Sequence, residues 1–151
     1  MKEKTKTADL LERAIEVAVQ AHHGQRDKSG GPYILHPLRL MNAVRRPEEK
    51  MVAILHDVVE DNDEWTLARL RKEGFPVDVL EAIDHLTRRK DETNDEFVNR
   101  AVSHPLARKI KIRDLEDNLN PLRHRELDDK AIAKLMKHHR SWHRVTQREF
   151  Y

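Results

Sequence analysis

Apolar side chains along this chain recur mostly three and four residues apart, the interval that gathers them on one face of an α-helix. Leu10, Leu11, Ala14, Ile15, Ala18 and Val19 make the first such stripe, and Thr7 stands where it could cap it. "GQRDKSGGPY" breaks the pattern with glycine and proline and reads as a loop. A short helix is expected from Pro37 to about Val44. Pro47, suited to a first helical turn, then opens the helix that carries "MVAILHDVVEDN", Met51 to Asn62. "TLARLRKEG" predicts a helix closed by Gly74. "VDVLEAIDHLTRR", "NDEFVNRAVSH" and "PLARKIKIRDLEDNL" predict three more, the last stopped by Pro121, and a final helix is expected over roughly Asp128 to Arg148. Strand-like alternation never persists beyond a few residues. The expected fold is a single all-α bundle, one domain over residues 1–151, with no repeat, linker or low-complexity tract.

Composition narrows the function. Charged residues make up 37% and hydrophobic ones 38%, so the surface must be densely ionic. The 29 Lys and Arg nearly balance the 27 Asp and Glu, for a formal net charge of +2. That lacks the concentrated basic excess of a nucleic-acid binder but leaves room for a small anionic ligand. Without cysteine the chain has neither disulfides nor thiolate metal ligands. The first twenty residues scatter charge throughout, unlike a secretory signal, and no segment approaches the roughly 20 apolar residues of a membrane span. A cytoplasmic protein is expected.

Four ionisable groups, His56, Asp57, Glu60 and Asp61, interrupt the apolar run of the central helix. Positions four apart share a helix face, so His56 would align with Glu60 and Asp57 with Asp61. Acids at a helix C-terminus oppose the dipole, which favours a functional over an incidental acid pair. His36 is fixed by the following Pro37, and Asp114 lies among Ile110, Ile112 and Leu115. Two imidazoles and two carboxylates make a nitrogen–oxygen donor set suited to manganese, iron or zinc. The loop adds Arg26, Lys28 and Ser29, and Asn118 follows Asp114 by one turn. The histidines of "KHHRSWHR" are expected on an exposed basic face.

"HDVVED", with "PYILHP" upstream and "KIRDLEDN" downstream, resembles the HD-domain hydrolases, and more closely the hydrolase domain of the RelA/SpoT alarmone family and its small single-domain members. The match runs from about Ala21 to Asn118. The resemblance implies an all-α fold, one divalent metal, usually manganese, held by His36, His56, Asp57 and Asp114, and a catalytic acid pair, Glu60 and Asp61. It implies substrate contacts from Arg26, Lys28 and Ser29, a sugar contact from Asn118, and ligand-facing positions at Lys134 and His138. Asp27 departs from the family, where longer members often carry a basic residue. The implied reaction removes the 3′-pyrophosphate of guanosine 3′,5′-bis(diphosphate) or a related purine alarmone. A homodimer is compatible with this, and so is a role neutralising an alarmone-making partner. The alternatives are another HD phosphohydrolase, for an adenosine alarmone or a nucleoside monophosphate, and a non-catalytic module that binds nucleotide or a partner.

Overall fold

The computed structural model describes residues 2–147; Arg148, the expected end of the last helix, lies outside them. The described residues form helices without a strand ladder, as the apolar spacing predicts. They are α1 (Lys2–Ala21), α2 (Leu35–Asn42), α3 (Pro47–Leu55), α4 (Val58–Asp61), α5 (Leu67–Lys72), α6 (Val77–Leu86), α7 (Asn94–Ser103), α8 (Pro105–Asn118) and α9 (Asp129–Thr146), with a 3₁₀ turn over Pro121–Arg123.

The bundle is organised around α3. Met51, Val52, Ala53, Ile54 and Leu55 are five consecutive residues at most 1% exposed. A helix apolar on every side must be enclosed, and α3 packs against α1, α2, α6 and α8. At its entrance, buried Glu49 accepts hydrogen bonds from the backbone N–H groups of Arg45 and Arg46, and from Lys109 Nζ of α8 at 2.7 Å. These partners outweigh burial, which opposes the charge, and hold the Glu49 carboxyl at about 2.

Several expectations are corrected. Thr7 does not begin α1; the helix starts at Lys2, because "KEKTK" contains no glycine or proline to stop it. Val19 is exposed while Val17 is fully buried, so the packed face is turned toward Ala14, Val17, Ala18 and Ala21. The second helix starts at Leu35, two residues before Pro37. On α8, Lys111 is buried where Ile112 was expected, and Ile112 is only partly covered. The largest difference concerns Met51–Asn62, which is not one helix. α3 ends at Leu55, and Asp57 has φ −103° and ψ −2°, outside the regular helix, before α4 resumes. In an unbroken helix neighbouring side chains diverge by about 100°. The break lets His56 and Asp57 aim at one point.

The other bounds agree closely. Gly74, with φ +90°, takes the left-handed position just past α5. Asp128 caps α9 by accepting from Ala131 N–H at 2.8 Å. His139 and His143 are exposed, as expected of the basic face, while His138 is half-buried.

Candidate active site

Three stretches of chain converge at the centre of the bundle. The start of α2 brings His36, the α3–α4 break brings His56 and Asp57, and the last turns of α8 bring Asp114. His36 Nε2 is 3.1 Å from Asp114 Oδ1 and 3.9 Å from Asp57 Oδ2. His56 Nε2 is 2.9 Å from Asp57 Oδ2 and 3.8 Å from Asp114 Oδ1. Both imidazoles are buried.

Hydrogen bonding fixes which ring nitrogens carry protons. His56 Nδ1 faces the Ala53 carbonyl at 2.7 Å, an acceptor only, so Nδ1 must donate. His36 Nδ1 donates to Asp117 Oδ2 at 2.6 Å. In its neutral form each ring would turn its Nε2 lone pair toward a carboxylate oxygen, itself an acceptor. His56 Nε2 has no hydrogen-bond partner although it is buried. Lone pairs set face to face call for a cation, and two nitrogens with two oxygens suit a divalent metal. His36, His56 and Asp57 each place a donor atom within 4.8 Å of the others. Asp117 behind His36 is the carboxylate–histidine arrangement that orients metal-binding imidazoles. Burial opposes charge on both histidines, but Asp57, Asp114 and Asp117 outweigh it and raise both above the usual imidazole range. Burial likewise opposes ionisation of Asp57, and the facing His56 nevertheless holds it below the usual carboxylate range.

Residues with little sequence signal complete this cluster. Tyr33 donates its hydroxyl to Asp57 Oδ2. Lys111 Nζ donates to Asp114 Oδ2 at 2.8 Å and lies over the Phe97 ring. Arg39 and Arg123 both pair with Asp117. Arg123 also donates to Asn118 Oδ1 at 2.8 Å, and Asn118 donates to Asp114 Oδ1 at 2.9 Å. The one available signal was the density of acids in "DLEDN".

Around the donors lies a cleft of about 210 Å³, whose walls include Glu60, Arg88, Lys111, Asn118, Lys137 and His138. Glu60 accepts from the Arg88 backbone N–H at 2.7 Å. Desolvation by the cleft walls, together with Asp57 and Asp61, raises its carboxyl above the ordinary range. Asp61 does not line this cleft. It accepts from Gln25 Nε2 at 3.0 Å, on the flank facing the loop. The expected acid pair is therefore split between two sides.

A second cavity of about 350 Å³ shares Tyr33, Asn118, Lys137 and His138 with the cleft. It brings together Arg26, Lys28, Asn118, Lys134 and His138, five of the six expected ligand-facing residues. Ser29 is not among its walls, because its hydroxyl and backbone N–H both turn back to Asp27 Oδ1. Asp27 also accepts from Gly31 N–H, so the residue that departs from the family pattern is the knot of the loop.

An all-α domain with these histidine and aspartate side chains gathered at its centre has the arrangement of an HD-type domain. No protein-family model matches the chain. A GTP pyrophosphokinase from Streptomyces coelicolor is 33% identical over 148 residues, 88% of this chain and 17% of the relative. A guanosine-3′,5′-bis(diphosphate) 3′-pyrophosphohydrolase from Aquifex aeolicus is 31% identical over 140 residues, 84% of this chain and 20% of the relative. The chain thus spans a fifth or less of these curated relatives. In fold it matches the solved structure of a metazoan ortholog of SpoT that hydrolyzes ppGpp, with a TM-score of 0.68 and 21% identity, over 93% of this chain and 95% of the other. The particular family that the chain resembles is RelA/SpoT, and the resemblance is to its HD-type alarmone hydrolases.

Proposed function

We propose that the chain hydrolyses the 3′-pyrophosphate of guanosine 3′,5′-bis(diphosphate) and related purine alarmones, releasing pyrophosphate. The observation that carries this reading is the convergence of His36, His56, Asp57 and Asp114, with the buried His56 Nε2 left without a hydrogen bond, beside a cleft walled by Glu60 and cations. These four residues would hold one divalent metal; their mixed nitrogen and oxygen donors suit manganese, iron or zinc, and the family resemblance favours manganese. Such a metal, when bound, makes water a better nucleophile near neutral pH and polarises a phosphoryl oxygen.

The chain's own groups divide the remaining work. Glu60, with its raised pKa, orients the attacking water and takes its proton. Lys111 and Lys137 line the cleft as counter-charges for the departing pyrophosphate. Arg26 offers a planar cation for the base to stack on, and Asn118 offers the sugar a hydrogen bond. Lys28, Lys134 and His138 line the remaining cavity. Ser29 supports the loop through Asp27, and Asp61 anchors it through Gln25. Relatives are named for two activities, pyrophosphokinase and pyrophosphohydrolase. A metal-type donor cluster beside a carboxylate of raised pKa favours attack by water, hence the second. Among the described residues no helix is long and apolar enough to cross a membrane, which is compatible with work in the cytoplasm.

The test is incubation with guanosine 3′,5′-bis(diphosphate) and Mn²⁺, followed by phosphorus NMR. The expected first product is intact pyrophosphate, with the 5′-phosphates unchanged. Orthophosphate as the first product would instead indicate a phosphatase.

A further inference from the structure

His22 stands just past α1, is 2% exposed, and serves none of the roles described so far. Its surroundings fix its chemistry. The Asp61 carboxylate only accepts, so the Gln25 amide must turn its nitrogen toward it. The amide oxygen then faces His22 Nδ1 at 2.8 Å, and that oxygen also only accepts. His22 Nδ1 therefore donates. One N–H on the imidazole sets the orientation of Gln25 and, through it, the donor that Asp61 receives. His22 Nε2 is left as a buried nitrogen without a partner. An unmet buried acceptor is unfavourable, so packing alone gives no reason for an imidazole here.

The loop that follows is hitched at both ends. Gln25 at one end bonds Asp61, and Tyr33 at the other donates its hydroxyl to Asp57. The Tyr33 backbone N–H closes the loop by donating to the Gln25 carbonyl at 3.0 Å. Asp57 and Asp61 bracket Glu60 in the sequence, while Arg26 and Lys28 lie inside the loop. His22 adjoins both ends, Gln25 through the hydrogen bond and Tyr33 through ring centroids 5.0 Å apart. Beside it, Asn62 Nδ2 donates to the Ala21 carbonyl at 3.0 Å and seats the end of α4 on the end of α1. We propose that His22 is a positioning residue, which locks the loop carrying Arg26 to the helix carrying Glu60, so that ligand and general base hold one register. Its kinetic consequence rests on the hydrolase reading, whereas the lock itself belongs to the free protein.

Two isosteres separate a lock from mere packing. Asparagine sets its amide nitrogen where the imidazole carries Nδ1, and glutamine sets its own where the imidazole carries Nε2. His22→Asn therefore keeps the donor to Gln25, and His22→Gln loses it although it is nearer in size. With guanosine 3′,5′-bis(diphosphate) and Mn²⁺, His22→Gln should raise KM about tenfold, the worth of one hydrogen bond, and change kcat by less than about twofold. His22→Asn should raise KM by less than about threefold. Adding Asp61→Asn to His22→Gln should cost nothing more, because both break one chain of hydrogen bonds. A packing role reverses the order, with the smaller asparagine the more damaging, and makes the losses add; either result overturns the proposal, as does an unchanged KM in His22→Gln. The second measurement needs no hydrolysis. Trypsin cuts after arginine and lysine, so in EDTA the rate of cleavage after Arg26 and Lys28, followed by mass spectrometry, reports opening of the loop. Relative to cuts elsewhere in the chain, His22→Gln should be cut there at least about fivefold faster than wild type or His22→Asn. Equal rates overturn the lock whatever the enzyme hydrolyses. Faster cutting in a protein that hydrolyses no 3′-pyrophosphate would instead retain the lock and remove the hydrolase reading.

Discussion

Glu60 and Asp61 are neighbours in sequence with different surroundings, and their consequences separate. Glu60 reaches the cleft and is held by the Arg88 backbone, whereas Asp61 is tied to Gln25 on the loop side. Glu60→Gln should retain the metal and lower kcat by roughly 10²–10⁴-fold, the usual worth of a general base. Asp61→Asn should cost about tenfold or less, mainly in KM, because it loosens the loop rather than the chemistry. Steady-state kinetics with metal analysis of both variants decides this, and equal kcat losses would count against the split. Residue type and apolar flanks made His36, His56, Asp57 and Asp114 legible. Tyr33, Asp117 and Arg123 were not, because each serves a donor by reaching across the fold. His36 and Asp117 are 81 residues apart, and nothing local marks such a bond.

At the scale of elements, turn chemistry and apolar spacing located most helices to within a residue or two. Gly74, read as the end of α5, is the sort of local signal that works. The α3–α4 break escaped because "MVAILHDVV" contains no glycine or proline. Convergence of His56 and Asp57 with Asp114, a tertiary demand, opens the backbone there. The stability of this region depends on the Glu49 anchor. Glu49→Ala removes two backbone acceptor contacts and the Lys109 tie, and should cost roughly 1–2 kcal/mol in denaturant unfolding. The pH dependence has a definite sign. Folding lowers the Glu49 pKa from 4.5 to about 2, so its contribution is present above pH 4.5 and is lost as pH falls toward 2. Wild-type stability should decline through that window more steeply than that of Glu49→Ala. Parallel profiles from acid titrations followed by circular dichroism would show that Glu49 is not the group responsible.

For the whole molecule, the all-α arrangement was readable from apolar spacing, and the resemblance set Arg26, Lys28 and Lys134 about one ligand, whereas the part played by Arg123 was not signalled. Lys28, Arg123 and Lys134 come from the first loop, the 3₁₀ turn and the last helix, and local spacing alone does not indicate that these meet. The same holds for the donors. His36 and Asp114 are separated by 78 residues yet lie 3.1 Å apart, so the cluster exists only once the ends of the fold have come together. A metal held there would act as a removable rivet through the bundle. A ligand that binds only the folded chain stabilises it by about 2.7 kcal/mol at a hundredfold excess over its Kd. Adding Mn²⁺ should therefore slow digestion by a nonspecific protease, since cleavage follows the opened population when reclosing is fast. Chelation should reverse the protection, and His56→Ala should show none. Digestion rates indifferent to metal would mean that the donors are not bridged. The lifetime of the protein, as well as its activity, would then follow metal supply: a cell short of manganese would degrade the molecule faster and so lose it, beyond merely idling it.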